Sequence, residues 1–315
     1  MPGWNRREWL RALLALAGGP RAGLAEPASR AVAYRADAVI LLVGIPVFSR
    51  AGVGSGYAEA RTETNDDGVL QFLRFAGCSW PERAHGLDRA GYIEESVRLR
   101  QGSLASARYF GVMSSSAEQT AEQAGRALSA DGPLQGFSAI QGASLPGVRE
   151  SASAAFKYPR GSGERDWRDL LTTARRHLTG APKRVSGNPA DALTPTFLYA
   201  LVCAMESRET RLKRLFVYGD RRLWLETEKT DDPHTGRDLA AGARVFKLSG
   251  TVRAHDGASL AAFRVWFETG NAIPLRIDYQ PRSFLRLSFV RDAQSTPGNH
   301  QPGGVGSLPD SLQAP

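Results

Sequence analysis

The stretch Gly52-Val53-Gly54-Ser55-Gly56 is the first place where residue type and spacing suggest chemistry. Glycine-rich loops cradle phosphates because bare backbone N–H groups can approach the anion, but they need a following Gly-Lys-Ser/Thr and a strand-to-helix setting. Neither is present, and the flanks on both sides look like strands. In a strand, Gly52, Gly54 and Gly56 fall on one face. That face lacks side chains over three positions, so a helix or a ligand can lie against the backbone. Glu94 and Glu95 are an adjacent carboxylate pair, the residue type for general acid–base work, yet neighbours on a strand point to opposite faces and cannot share one site. Asp231-Asp232-Pro233-His234 carries ligand-type side chains but reads as a hairpin turn. Cys78 and Cys203 each sit in an apolar run, without metal-ligand spacing. Two buried thiols are the expectation, with a disulfide as the alternative in an oxidising compartment. The histidines (His85, His177, His234, His255 and His300) are scattered, and no GxSxG, HExxH or paired CxxC occurs. The sequence therefore offers no catalytic residue, no metal site and no cofactor site.

The element that must position everything else is Phe197 to Met205, nine residues without a charge. Thr194 suits the N-cap and Pro195 the first helical position, where a missing N–H costs nothing. A helix apolar almost all round belongs in a core, and this one is far too short to span a bilayer, which needs about 20 residues. Its Phe197, Leu201 and Met205, with Gly52, Gly54 and Gly56, form the candidate face for helix packing or for a ligand cavity.

Around this helix the pattern is mainly β. Val32 to Phe48 reads as a long strand broken near Gly44-Ile45-Pro46, where proline forbids a ladder bond. Further strands are expected over Ala51–Thr64, Val69–Ala76, Tyr92–Arg100 and Leu104–Met113. Ser114 to Ser116 should cap a helix running from Ala117 to about Ser129. From Asp131 to Gly163 the composition shifts to Gly, Ser, Pro and Ala, which predicts a long surface excursion. Glu164–Thr179 is an amphipathic helix with Trp167, Leu170, Leu171, Ala174 and Leu178 in one stripe. Six more strands follow between Leu215 and Val290. The expected fold is mainly β (α+β): a strongly curved antiparallel sheet or unclosed barrel of about eleven strands, with a buried central helix and one or two covering helices. Residues 26–291 would form one β-rich domain with a helical and loop insertion at about 114–208, and 292–315 a disordered tail.

Asn5-Arg6-Arg7-Glu8-Trp9-Leu10-Arg11 resembles a twin-arginine export signal, with a short apolar run after it and a small-x-small site at Gly23-Leu24-Ala25. Export with cleavage after Ala25 places the protein in the periplasm or outside the cell. The formal net charge is +8, and cleavage would remove four arginines and one glutamate. The remaining positive charge is scattered rather than run together, which argues against nucleic acid as a partner.

The first strand broken at Gly44-Ile45-Pro46, the hairpin ending in Arg108-Tyr109-Phe110, and the run FRVWFETGNAIPLRIDYQ are similar to the exported bacterial β-proteins grouped as a domain of unknown function. At the level of fold alone there is a more distant likeness to periplasmic carriers of lipoproteins and lipids. The resemblance implies a β fold and an exported location, and it carries over no activity. The functional expectation is a non-enzymatic binding module for an apolar or amphipathic, lipid-like ligand in the cell envelope. The alternatives are an envelope component that binds another protein, or a hydrolase without a recognisable motif. A dry cavity beside the glycines would favour the ligand reading. A filled core with an exposed apolar patch would favour the partner reading.

Overall fold

The structure is a computed structural model that describes residues 28–42, 45–84, 88–114, 134–161, 165–185, 193–232, 244–268, 270–282 and 285–292. The expected signal peptide, the helix expected over 117–129 and the expected tail lie outside the described residues.

Eight strands come first: β1 (Ala28–Leu42), β2 (Ile45–Asn65), β3 (Gly68–Ser79), β4 (Ala90–Arg100), β5 (Ser103–Ser114), β6 (Leu134–Leu145), β7 (Val148–Pro159) and the short β8 (Arg184–Val185). Six follow: β9 (Arg211–Tyr218), β10 (Arg221–Asp231), β11 (Val245–Arg253), β12 (Ser259–Glu268), β13 (Arg276–Arg282) and β14 (Leu285–Arg291). All fourteen belong to one unclosed antiparallel sheet, ordered β8-β7-β6-β5-β4-β3-β2-β1-β14-β13-β12-β11-β10-β9. Chain neighbours pair within β1–β8 and within β9–β14, β8 and β9 are the two edges, and the two meanders are joined where β1 pairs with β14.

Fourteen strands replace the expected eleven, and the difference is β6, β7 and β8. The Gly/Ser/Ala-rich stretch read as a loose excursion is in fact a hairpin turned at Pro146-Gly147, with Gly147 at φ 73°. Its small residues are needed because this part of the sheet is covered on both faces. Helix α1 (Trp167–Thr179) buries the expected stripe, Trp167, Leu170, Leu171, Ala174 and Leu178, against Tyr92, Phe110, Phe137 and Phe156. On the other face the Tyr109 ring lies so close over Gly142 that a Cβ there would collide with it.

Helix α2 (Phe197–Glu206) is the predicted central helix, and it packs on the face opposite α1, against β9, β10, β3 and β4. Its Ala200, Ala204 and Met205 join Phe216, Leu225, Leu248 and Val265 in a second core, with Phe197 and Leu201 half-buried at its margin. The N-cap is Thr196 rather than Thr194, and its side chain makes no hydrogen bond to the helix. The curl of the sheet brings the β9–β10 turn over β5. Tyr109 stacks on Tyr218 with centroids 5.3 Å apart, accepts from Gly219 N at 2.9 Å and donates to Gly219 O at 3.3 Å. Val217 N donates to Pro195 O at 3.1 Å, so α2 and its lead-in bridge the open side of the sheet.

Candidate functional site

Two features of the surface have the geometry to bind something. The first is the end of the β1–β2 hairpin. Residues Val39 to Phe48 (VILLVGIPVF) contain no side chain that can hydrogen-bond. Since successive residues of a strand point to opposite faces, an unbroken apolar run makes both faces apolar. Ile45 and Pro46, expected at a break within one long strand, instead open β2, with Leu42 facing Ile45 and Ile40 facing Phe48. β1 pairs with β14 only as far as Ile40, and β2 pairs with β3 only from Gly54 onward. The tip therefore runs past both neighbouring strands. Leu42 is 65%, Ile45 66%, Val47 56% and Phe48 52% exposed. At the base, Gly52 adopts φ 63° in a bulge, and its N–H donates to Asp37 Oδ1 at 2.8 Å. Arg50 and Arg286 stand opposite Ala38 and Val39, just behind the apolar run.

The second feature is an open groove of about 600 Å3 across the β9–β14 half. Cross-strand partners share a face, and two rows of them build it. One row runs Arg211, Glu228, Ser249, Arg264, Asp278 and Ser288; the other runs Lys213, Glu226, Thr251 and Ala262. The intervening residues Leu212, Thr227, Gly250 and Phe263 point to the α2 side. Small side chains at Ser249, Thr251 and Ala262 make the floor. The acids are matched: Glu228 with Arg211 at 2.9 Å, Glu226 with Lys213 at 2.9 Å and Arg253 at 2.8 Å. Hydrogen bonds from Lys213 and Arg253 hold the Glu226 carboxyl below its ordinary range. Asp278, 3% exposed, takes Arg276 at 2.8 and 3.2 Å and the Ser288 hydroxyl at 2.8 Å. Two cations are left over. Arg264 is exposed and has no hydrogen bond or ion pair with the described residues. Arg286 reaches Asp278 only at 3.9 Å, and its Nε is buried without a hydrogen-bond partner among the described residues.

Beneath the surface, the adjacent carboxylates Glu94 and Glu95 are both buried, on opposite faces as their spacing requires. Glu94 meets Arg74 at 3.8 Å and Arg175 at 2.9 Å under α1, and accepts from the Tyr92 hydroxyl. Glu95 reaches the start of α2, where it accepts from Leu198 N at 2.8 Å, Tyr199 N at 3.0 Å and the Thr196 hydroxyl. A strand residue thus performs the capping that Thr196 does not. Burial pushes the Glu95 carboxyl up to about 7, against the opposing pull of these donors. Both groups are enclosed and spoken for, so neither presents a reactive oxygen to a substrate.

The sequence-derived face comes apart in the structure. Gly52 belongs to the hairpin base. Gly54 sits where a Cβ would collide with the Cys78 carbonyl of β3, and Gly56 where a Cβ would stand 2.8 Å from Phe289 Cδ1. Phe289, from β14, therefore lies against Gly56, while Phe197, Leu201 and Met205 of α2 pack in a different cluster. Gly54→Leu is expected to lower stability by about 1–3 kcal/mol, because it overpacks against backbone. Gly91→Ala, whose Cβ meets nothing within 4 Å, should stay within about 0.5 kcal/mol of wild type. Equal melting temperatures for Gly54→Leu and wild type would contradict the assigned contact. Cys78 and Cys203 are free thiols, the first buried and the second half-buried; burial raises both, Cys203 to about 11.

No group of three or more His, Cys, Asp or Glu side chains among the described residues could hold a metal ion. No helix among them is long and apolar enough to cross a membrane. The hairpin end is an apolar run in the sequence, where Gly44-Ile45-Pro46 suggests a bulge or an edge within one long strand rather than a turn between two. The groove had no local signal, since its rows are assembled across six strands. Comparison with models of protein families, with characterised proteins and with solved structures finds no match to this chain.

Proposed function

We propose that this is a non-catalytic, exported protein of the cell envelope that engages lipid surfaces through the tip of its β1–β2 hairpin. The supporting observation is the concentration of exposed apolar side chains there. Ile40, Leu42, Ile45, Val47 and Phe48 are half of the large exposed hydrophobics among the described residues. Ile40, Leu42, Ile45 and Phe48 pair across the two arms and so share one exposed face, with Leu41 buried on the other, and an apolar face so concentrated suits the acyl boundary of a lipid surface. The two arms answer each other's inward backbone groups by their own pairing. Beyond Ile40 the first arm continues through Leu41 and Leu42, paired with Pro46 and Ile45, a reach of roughly 7 Å, enough to enter the headgroup region and its acyl boundary. The lipid-like ligand is thus met at the surface of the fold, since Phe289 occupies the space beside Gly56.

The test is flotation of the purified protein with vesicles of phosphatidylethanolamine and phosphatidylglycerol. Wild type is expected to float. Ile45→Ser with Phe48→Ser should weaken binding by roughly a hundredfold, since burying each of these side chains contributes about 1.5–3 kcal/mol. Both positions are exposed, so the melting temperature should not fall. Equal flotation of variant and wild type, or no flotation of either, overturns the proposal; the second result would leave a protein partner as the occupant of the tip.

A further inference from the structure

We propose that the groove on the β9–β14 face is a binding site for a phosphorylated polyol, with Arg264 and Arg286 holding the phosphate. Charge matching carries the argument. Four cations and three acids line the groove: Arg211, Lys213, Arg264 and Arg286 against Glu226, Glu228 and Asp278. Every acid has its own partner, with Arg276 and Arg253 contributing from the margins. The positive charge left over is therefore located, on β12 and β14. Between them lies β13, whose Asp278 is already held by Arg276 and Ser288 and shielded from solvent. The two arginines start about 12 Å apart, two strand spacings across and two residues along, and their long side chains can converge from either side. Among the described residues the buried Nε–H of Arg286 makes no hydrogen bond, its nearest acid being the Asp278 carboxylate at 3.9 Å, an arrangement that costs free energy until an acceptor arrives. Guanidinium groups match phosphate oxygens in a planar, two-pronged fashion.

The rest of the groove selects the body of the ligand. Ser249, Thr251 and Gln280 present hydroxyl and amide groups over a floor of small side chains, the complement of a chain of hydroxyls rather than of an apolar tail. The volume suits a small organic phosphate and its first few neighbouring groups. The same chemistry occurs in two places, in a free polyol phosphate and in the headgroup of a lipid such as phosphatidylglycerol. Arg286 faces Val39, next to the apolar end of the hairpin, so the groove and the tip share a border.

The experiment titrates the full chain with glycerol 3-phosphate, followed by isothermal calorimetry. Saturable binding to wild type is expected. Arg264→Gln and Arg286→Gln should each weaken it about tenfold or more, the loss expected for a charged hydrogen-bonding partner. Arg176→Gln, an exposed change of equal charge on α1, should leave it unaltered. Absence of saturable binding, or equal affinities for Arg264→Gln and Arg176→Gln, overturns the assignment. A second arm repeats vesicle flotation with glycerol 3-phosphate in excess. Displacement of the protein makes the lipid headgroup the occupant of the groove, and undiminished flotation makes it the free phosphate. Ile45→Ser with Phe48→Ser should lose flotation while keeping glycerol 3-phosphate affinity, so failure of the hairpin proposal and failure of this one give different results.

Discussion

Arg165→Met is expected to destabilise the protein by about 3–5 kcal/mol, a large share of a total of about 5–15 kcal/mol. Arg165 and Asp88 form an ion pair with side chains only 2% and 4% exposed. Such a pair adds little net stability over an apolar replacement, because removing both charges from water offsets much of their attraction. Removing one partner is different, since the other charge stays behind in a low-dielectric setting. Asp88 would keep Gly161 N as a donor at 3.1 Å but lose the guanidinium. The loss would spread, because Arg165 also donates to Gln135 Oε1 at 3.2 Å. Gln135 in turn donates to the Asp88 carbonyl and to Ser114 Oγ, which accepts from Ala90 N at 2.8 Å. The knot therefore ties the entry of α1 to the ends of β4, β5, β6 and β7. Urea unfolding measures it, and Arg165→Met combined with Asp88→Leu should recover part of the loss because the two positions are coupled. A single variant within 1 kcal/mol of wild type would mean that water reaches the pair.

The second large effect is a pH dependence centred on Glu95. Its carboxyl is raised to about 7 in the folded chain from an ordinary value of 4.5, and burial is the cause. The folded state therefore binds the proton more tightly than the unfolded state does. The associated stability is fully present below about pH 4.5 and is lost as the pH rises through about 7, to a total of roughly 3 kcal/mol. Glu95→Gln should remove this slope. The amide oxygen still accepts from one N–H of the first turn of α2, and its NH2 can donate to the Thr196 hydroxyl. Stability measured at intervals between pH 4.5 and 8 should fall for wild type, and the difference between the two proteins should change sign or shrink across that window. Parallel curves would show that Glu95 stays ionised throughout. Glu95→Ala is the harsher change, because it strands the donors of Leu198, Tyr199 and Thr196 together.

The parts of the fold that were legible in the sequence are those whose pattern is local. The stripe of α1 and the apolar run of α2 were placed within a few residues, because both are periodic features of one segment. β6 and β7 were not legible because strand signals rest on bulky alternating side chains. Here Ala139 and Ala152 are small to admit α1 on one face, and Gly142 to admit Tyr109 on the other. The opposite orientation of Glu94 and Glu95 followed from strand geometry alone. That Glu95 would cap a helix about 100 residues further along the chain did not, since only the curl of the sheet brings them together. The glycine face holds only in part for a related reason: a bulge sets Gly52 aside, while Gly54 and Gly56 are closely packed by β3 and by Phe289 rather than by α2.

The ladder between β1 and β14 also bears on how the chain reaches this state. It joins Tyr34 to Arg291, roughly 250 positions apart, whereas nearly every other ladder joins strands that adjoin in sequence. Each meander can zip from its own turns, but this seam must wait for both, and closing so long a loop is entropically slow. Until it closes, β1 and β14 are bare edges with unanswered N–H and C=O groups, each able to recruit another chain. The late step in folding is therefore also the exposed one, and crowded refolding would divert material into assemblies stitched along those two strands.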